Sequence, residues 1–293
     1  MRRRSFVTLA FAAAALVAAP VIAQTPGDSP MSTPSSTGKV PVDGVEIYYE
    51  IHGDGPPLVL LHGGVTPSTT FGAPLTAMAK THQVIAIHLR GHGFSTDSDA
   101  PWSTEMMADD VAAVLRQLGI GKAHVMGYSL GAAVALQVAM RHPELVDRLV
   151  SVSVAFSTDG DYPEVRKAFE AMPGMAAAIG AQLAASPLAE LYPDVRWETM
   201  MRKSGEMNLV HHDWSEAIKT IKSPTLLVFA DADSIRPEHM VAFWKLLGGG
   251  QRDAGLDGSQ RPASQLAIVP GTTHYSVIEA PYLTEVATAF LAQ

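Results

Sequence analysis

A chain of 293 residues, 47% of them hydrophobic, has enough apolar mass for one large core, which excludes both a disordered chain and a small stapled module. Its formal net charge of −8, from 21 Lys and Arg against 29 Asp and Glu, argues against a nucleic-acid partner, because phosphate neutralisation needs clustered cations. The lack of cysteine removes disulfides, thiolate metal sites and a cysteine nucleophile.

The first predicted element is an export signal over residues 1–23. Arg2, Arg3 and Arg4 precede an apolar run from Phe6 to about Ala19, and small residues end at Ala23. Arg3 and Arg4 followed by Ser5, Phe6 and Val7 resemble a twin-arginine signal, although the general secretion route would accept the same arrangement. The expected location is therefore outside the cytoplasm, periplasmic or secreted, with no stable membrane association after cleavage. Residues 24–38, rich in Ser, Thr and Pro, read as a linker with too little apolar surface to fold, so ordered structure is expected from Lys39.

From Lys39 the chain alternates. "VEIYYEIHG" reads as a strand by its apolar alternation. "PPLVLLHGG", "HQVIAIHLRGHG", "AHVMGYS", "RLVSVSVAFS", "TLLVFADAD" and "QLAIVPG" are short apolar runs ending in Gly or polar residues, as strands buried on both faces require. Helical patterns lie between them: "TEMMADDVAAVLRQLG" closes on Gly119, and "SLGAAVALQVAMRHPE" ends before Pro143. The succession predicts an α/β fold with a doubly wound, mostly parallel sheet, whose ligands bind beyond the carboxyl ends of the strands. The core is expected over 39–157 and 218–293. Residues 158–217, Met- and Ala-rich at helical spacing, form an insertion.

One corner of this pattern carries chemistry. Ser129 stands where a strand feeds a helix, between Gly127 and Gly131, at a turn too tight for flanking side chains. The helix N-terminus beside it favours developing negative charge. "GYSLG" at 127–131 resembles the nucleophile elbow of the α/β-hydrolase family. A serine hydroxyl needs a base, and the base needs an acid to orient it. The resemblance places the base at His274, after "LAIVPGTT", and the acid at Asp233, from the Asp-x-x-x-Pro match ending at Pro237, with Asp231 as the rival acid. His62, Gly63 and Gly64 resemble the family's oxyanion loop, so the N–H groups of Gly64 and Leu130 are the expected oxyanion donors. The order serine, acid, histidine is that of this fold.

The resemblance further implies that 158–217 is a helical cap over the site, with Met172, Met175, Met200, Met201, Trp197 and Trp214 supplying its own core or an apolar pocket. "HLRGHGFS" departs from the family pattern, since His88 stands where Asp is usual; a packing or hydrogen-bonding role is expected for it, with Arg90 and Ser95 tying the loop. His211 and His212 are expected on solvated surface, and 248–264 as a polar surface loop. The implied function is a serine hydrolase cleaving a carboxylic ester or lactone of a small, apolar molecule, without cofactor or metal. Amide, peptide or carbon–carbon bond hydrolysis on the same three groups is the alternative, as is a non-catalytic small-molecule binder.

Overall fold

The computed structural model of the protein describes residues 33–293. The export signal expected over 1–23 lies outside the described residues, as does most of the linker. Structure begins before Lys39, because β1 (Ser36–Val42) takes in the last three residues assigned to the linker. Its register with β2 (Val45–His52) runs from Ser36 opposite Ile51 to Val42 opposite Val45. The turn between them uses Asp43 and Gly44, both at positive φ, so a two-residue hairpin orders a polar sequence that periodicity alone reads as linker.

β3 (Pro57–Leu61), β4 (Gln83–Ile87), β5 (Ala123–Tyr128), β6 (Val146–Val152), β7 (Thr225–Ala232) and β8 (Gln265–Thr273) complete an eight-stranded sheet in the order β1-β2-β4-β3-β5-β6-β7-β8. β1 and β2 pair antiparallel, β2 joins β4 antiparallel, and every later pairing is parallel. The run from Leu58 to Leu61 and the run from Val84 to Ile87 are fully buried, as strands covered on both faces must be. β8 differs from that expectation. As the edge strand it leaves Ile268 43% exposed and buries Val269, because only one neighbour and one helix layer cover it.

Helices α1 (Gly72–Met78) and α9 (Pro281–Leu291) pack on one face, and α2 (Thr104–Gln117) and α3 (Leu130–Arg141) on the other. Ser103 caps α2 by accepting from the Met106 N–H at 3.1 Å. Between β6 and β7 run α4 (Pro163–Ala184), α5 (Pro187–Leu191), α6 (Trp197–Leu209) and α7 (Ser215–Ile218), and α8 (Pro237–Leu246) separates β7 from β8. Met172, Ala176, Ile179 and Met201 form a small cluster of their own between α4 and α6, with Val65 packed against it. Trp197 and Met200 instead join the main core. Among the described residues no helix is long and apolar enough to cross a membrane.

Candidate active site

The corner at Ser129 is as tight as its glycines imply. Ser129 adopts φ 53 and ψ −115, a conformation that L residues rarely hold. A Cβ on Gly127 would sit 2.1 Å from the Gly131 carbonyl oxygen, and one on Gly131 would sit 2.1 Å from that of Leu61. Ser129 occupies the N-cap position of α3, yet its side chain makes no capping bond. The hydroxyl is thereby left for something else.

That partner is His274. Its Nε2 lies 3.1 Å from Ser129 Oγ, and its Nδ1 lies 3.0 Å from Asp233 Oδ1. With Nδ1–H donating to the carboxylate, the Nε2 lone pair faces the serine hydroxyl. Ser129 and His274, 145 positions apart, and Asp233, 41 positions before the histidine, thus form one row at the carboxyl edge of the sheet, from the ends of β5, β7 and β8. Tyr128 secures the row from beside the serine, donating its hydroxyl to the His274 carbonyl at 2.8 Å.

Asp233 is more heavily held than its motif implies. Oδ2 accepts from Ser153 Oγ at 2.6 Å and from the Ala230 N–H at 2.9 Å, and Oδ1 accepts from the Ser234 N–H at 2.8 Å. Burial pushes its carboxyl up, but the hydrogen bonds from His274, Ser153 and Ala230 outweigh this and hold it below the usual carboxylate range. Asp231, the rival acid, does not approach His274. It is exposed and accepts from the Gly271 and Thr272 N–H groups at 2.9 and 3.1 Å, fixing the turn that leads into His274.

The loop expected to hold the oxyanion follows β3. His62 is fully buried; its Nε2 accepts from the Leu89 N–H at 3.0 Å, so the ring proton is on Nδ1 and is donated to the Gly63 carbonyl at 2.7 Å. A trans peptide sends its N–H opposite its carbonyl, so this bond turns the Gly64 N–H away from His62. Gly64 is exposed, and a Cβ there would meet nothing within 4 Å. The Leu130 N–H, first in α3, has no intrahelical partner by geometry. Val65 sits at φ 69, an outlier for a β-branched residue, directly after Gly64.

His88 serves packing and hydrogen bonding. Its Nδ1 accepts from the Phe94 N–H at 3.0 Å, so Nε2 carries the proton and donates to Ser68 Oγ at 2.8 Å. Ser68 in turn donates toward Glu50 Oε2 at 3.4 Å. Ser68 and His88 therefore resemble a nucleophile and base without being one, because the imidazole lone pair is already taken. Arg90 pairs with Asp110 through two bonds of 2.9 and 2.6 Å, and Ser95 donates to the His88 carbonyl at 2.6 Å. His212 departs from the expected solvated surface: it stacks on Trp214 at 4.2 Å and hydrogen-bonds Thr158, while His211 is exposed. No group of three or more His, Cys, Asp or Glu among the described residues could hold a metal ion.

Sequence reasoning missed Ser153 and Ser234. Ser234 Oγ lies 3.1 Å from His274 Nδ1, and Ser153 stands at φ 52 just past β6. Neither belongs to a motif, and a serine at a strand end carries no signal until the neighbouring strand brings a carboxylate to it.

A buried carboxylate, an imidazole and a strained serine in one row at the carboxyl edge of this sheet define a hydrolase. Residues 56–193 match the family model described as the alpha/beta hydrolase fold. RutD of Azorhizobium caulinodans, which carries the name of a carbamate hydrolase, is 33% identical over 234 residues, spanning 72% of this chain and 85% of that protein. The structure of MGS-M2, an alpha/beta hydrolase enzyme from a Medee basin deep-sea metagenome library, matches with a TM-score of 0.72 at 20% identity, covering 87% of this chain and 98% of that one. The enol-lactonase of Burkholderia xenovorans LB400 matches with a TM-score of 0.68 at 19% identity, covering 87% and 100%. The chain belongs to the α/β-hydrolase family.

Proposed function

We propose that the protein is a serine hydrolase that cleaves a carboxylic ester or lactone through an acyl-enzyme. The observation that carries this reading is the row Ser129, His274, Asp233, with contacts of 3.1 and 3.0 Å and the imidazole lone pair aimed at the hydroxyl. His274 Nε2 takes the Ser129 proton as Oγ attacks the carbonyl carbon, and the oxygen that becomes negative is met by the N–H groups of Gly64 and Leu130. Each such donor contributes on the order of 3 kcal/mol to the transition state. The proton then passes from His274 to the departing alcohol oxygen. A water attacks the acyl group and gives its proton to His274, which passes it to Ser129 Oγ as the serine leaves and the acid is released. Asp233 stays ionised throughout, stabilising the imidazolium.

Cleavage of a carbon–nitrogen bond is the second reading, favoured by the resemblance to RutD, since the same row can protonate an amine. The 158–217 segment is proposed to act as the cap over the site, and the 1–23 segment as an export signal placing the enzyme outside the cytoplasm. Hydrolysis of a short-chain nitrophenyl ester by the wild type and by Ser129→Ala tests the reading. Turnover lost in the variant supports it, and turnover retained overturns it.

A further inference from the structure

A second carboxylate stands close to the row and takes no part in it. Residues 160–162 are stitched to 234–236: the Tyr162 N–H donates to the Ser234 carbonyl at 3.1 Å, the Arg236 N–H donates to the Gly160 carbonyl at 2.9 Å, and Asp161 pairs opposite Ile235. This seats Asp161 beside the loop that carries Asp233, and the charges of His274 and Asp233 act on its carboxyl in opposite directions. Its side chain is only 15% exposed. No described residue donates a hydrogen bond to it, and the nearest cation, Arg166 Nη1, stands 3.9 Å from Oδ2, beyond hydrogen-bond reach. Arg166 is itself committed on one side, donating through Nη1 to the Asn208 carbonyl at 3.1 Å.

No described residue donates to the Asp161 oxygens, yet neither is sealed from the surface, so a donor arriving from outside can reach them. Burial pushes its carboxyl up to about 6, against the opposing pull of Arg166 and His274. The row does not need it, since Asp233 already meets His274. An anionic group would be repelled by Asp161, and a cationic one by Arg166. A neutral group that both donates and accepts suits the pair.

We infer that Asp161 and Arg166 form the polar end of the substrate site, binding a hydroxyl or amide N–H group carried by the substrate. The inference rests on the serine-hydrolase reading and deepens it: the substrate is a hydroxylated or amide-bearing ester or lactone, not a wholly apolar one. The hydroxyl or N–H donates to Asp161, and the same group's oxygen accepts from Arg166.

The test compares matched pairs by kcat/KM: ethyl 3-hydroxybutyrate with ethyl butyrate, and 2-hydroxyethyl butyrate with ethyl butyrate. The wild type is expected to favour the hydroxylated member of at least one pair by about tenfold or more, the size of preference that a site built to hydrogen-bond a hydroxyl readily exceeds. Asp161→Leu should bring that ratio down by about tenfold, and Asp161→Asn, which keeps shape and one acceptor, should bring it part of the way. Near-unity ratios for both pairs in the wild type, or a ratio unchanged in the Asn variant, would overturn the inference while leaving the hydrolase reading intact. No turnover of any ester, with no labelling of Ser129 by a phosphonate, would overturn both.

Discussion

Ser153 donates its hydroxyl proton to Asp233 Oδ2 at 2.6 Å, from a residue held at φ 52 just beyond β6. The bond joins the ends of two neighbouring strands beneath the imidazole, and it is one of the contacts keeping Asp233 ionised despite burial. Ser153→Ala should leave that oxygen one donor short, a loss of about 1–3 kcal/mol for a bond to a buried charge. The expected outcome is a fall in kcat/KM of about tenfold or more, carried mainly by kcat, with KM little changed. Steady-state kinetics check this, and a variant with unaltered kcat would show that the acid is held without Ser153.

Three buried histidines crowd together, the His62 ring 5.2 Å from that of His92 and 6.1 Å from that of His88, and their burial makes stability pH-dependent. Burial pushes His88 down to about 3 and His92 to about 4, and His62 lies well below its ordinary value. Between those values and the ordinary imidazole value of 6.5, the unfolded chain binds protons that the folded chain does not. Their contribution is therefore fully present above pH 6.5 and is lost as pH falls toward 4, at up to roughly 1.4 kcal/mol per pH unit for each group. Urea denaturation at pH 7.5 and pH 5 should show a clear loss at the lower pH, whereas equal midpoints would contradict it.

The glycine at the far side of the elbow is a packing requirement. A Cβ at Gly131 would lie 2.1 Å from the Leu61 carbonyl oxygen and 2.5 Å from that of His62, both backbone atoms that cannot swing aside. Gly131→Ala should force α3 away from β3, destabilising the fold by about 1–3 kcal/mol or more and misplacing Ser129 and Leu130 together. Thermal unfolding and ester turnover should fall in parallel, and a variant with wild-type Tm would contradict the contact.

Lys203 on α6 is buried with its charge, donating to Asp97 Oδ2 at 2.9 Å and to the Ser98 carbonyl, while Asp97 also accepts from Trp102 Nε1 at 2.9 Å. This ion pair ties the helices inserted after β6 to the loop before α2. Removing one partner of a buried pair costs on the order of 3 kcal/mol, so Lys203→Ala should loosen α4 to α6 before the sheet. Limited proteolysis should then cut within residues 163–209 at protease concentrations that spare the wild type.

The sheet and the three row residues were legible because each has a local signature: apolar runs for the strands, paired glycines at 127 and 131 for the elbow, and turn residues after "LAIVP" for the loop carrying His274. β1 was not legible from Ser36, because its order comes from a hairpin partner and its own residues are polar. The exposure of β8 was equally hidden, since strand order is set by topology and not by composition. Ser153 and Asp161 reach the site only through pairing between segments 70 or more residues apart, and Ser234 meets His274 across 40, separations that no spacing in the chain encodes. His88 shows the reverse case, where a residue out of pattern in the sequence proves well satisfied between Phe94 and Ser68.

The central claim is that His274 activates Ser129 for attack, and mass analysis of the protein treated with a serine-directed phosphonate tests it most directly. One adduct per chain, located on the peptide carrying Ser129 and formed far more slowly in His274→Ala, is the predicted result. An adduct on another residue, or labelling of Ser129 at an undiminished rate without the imidazole, would contradict it.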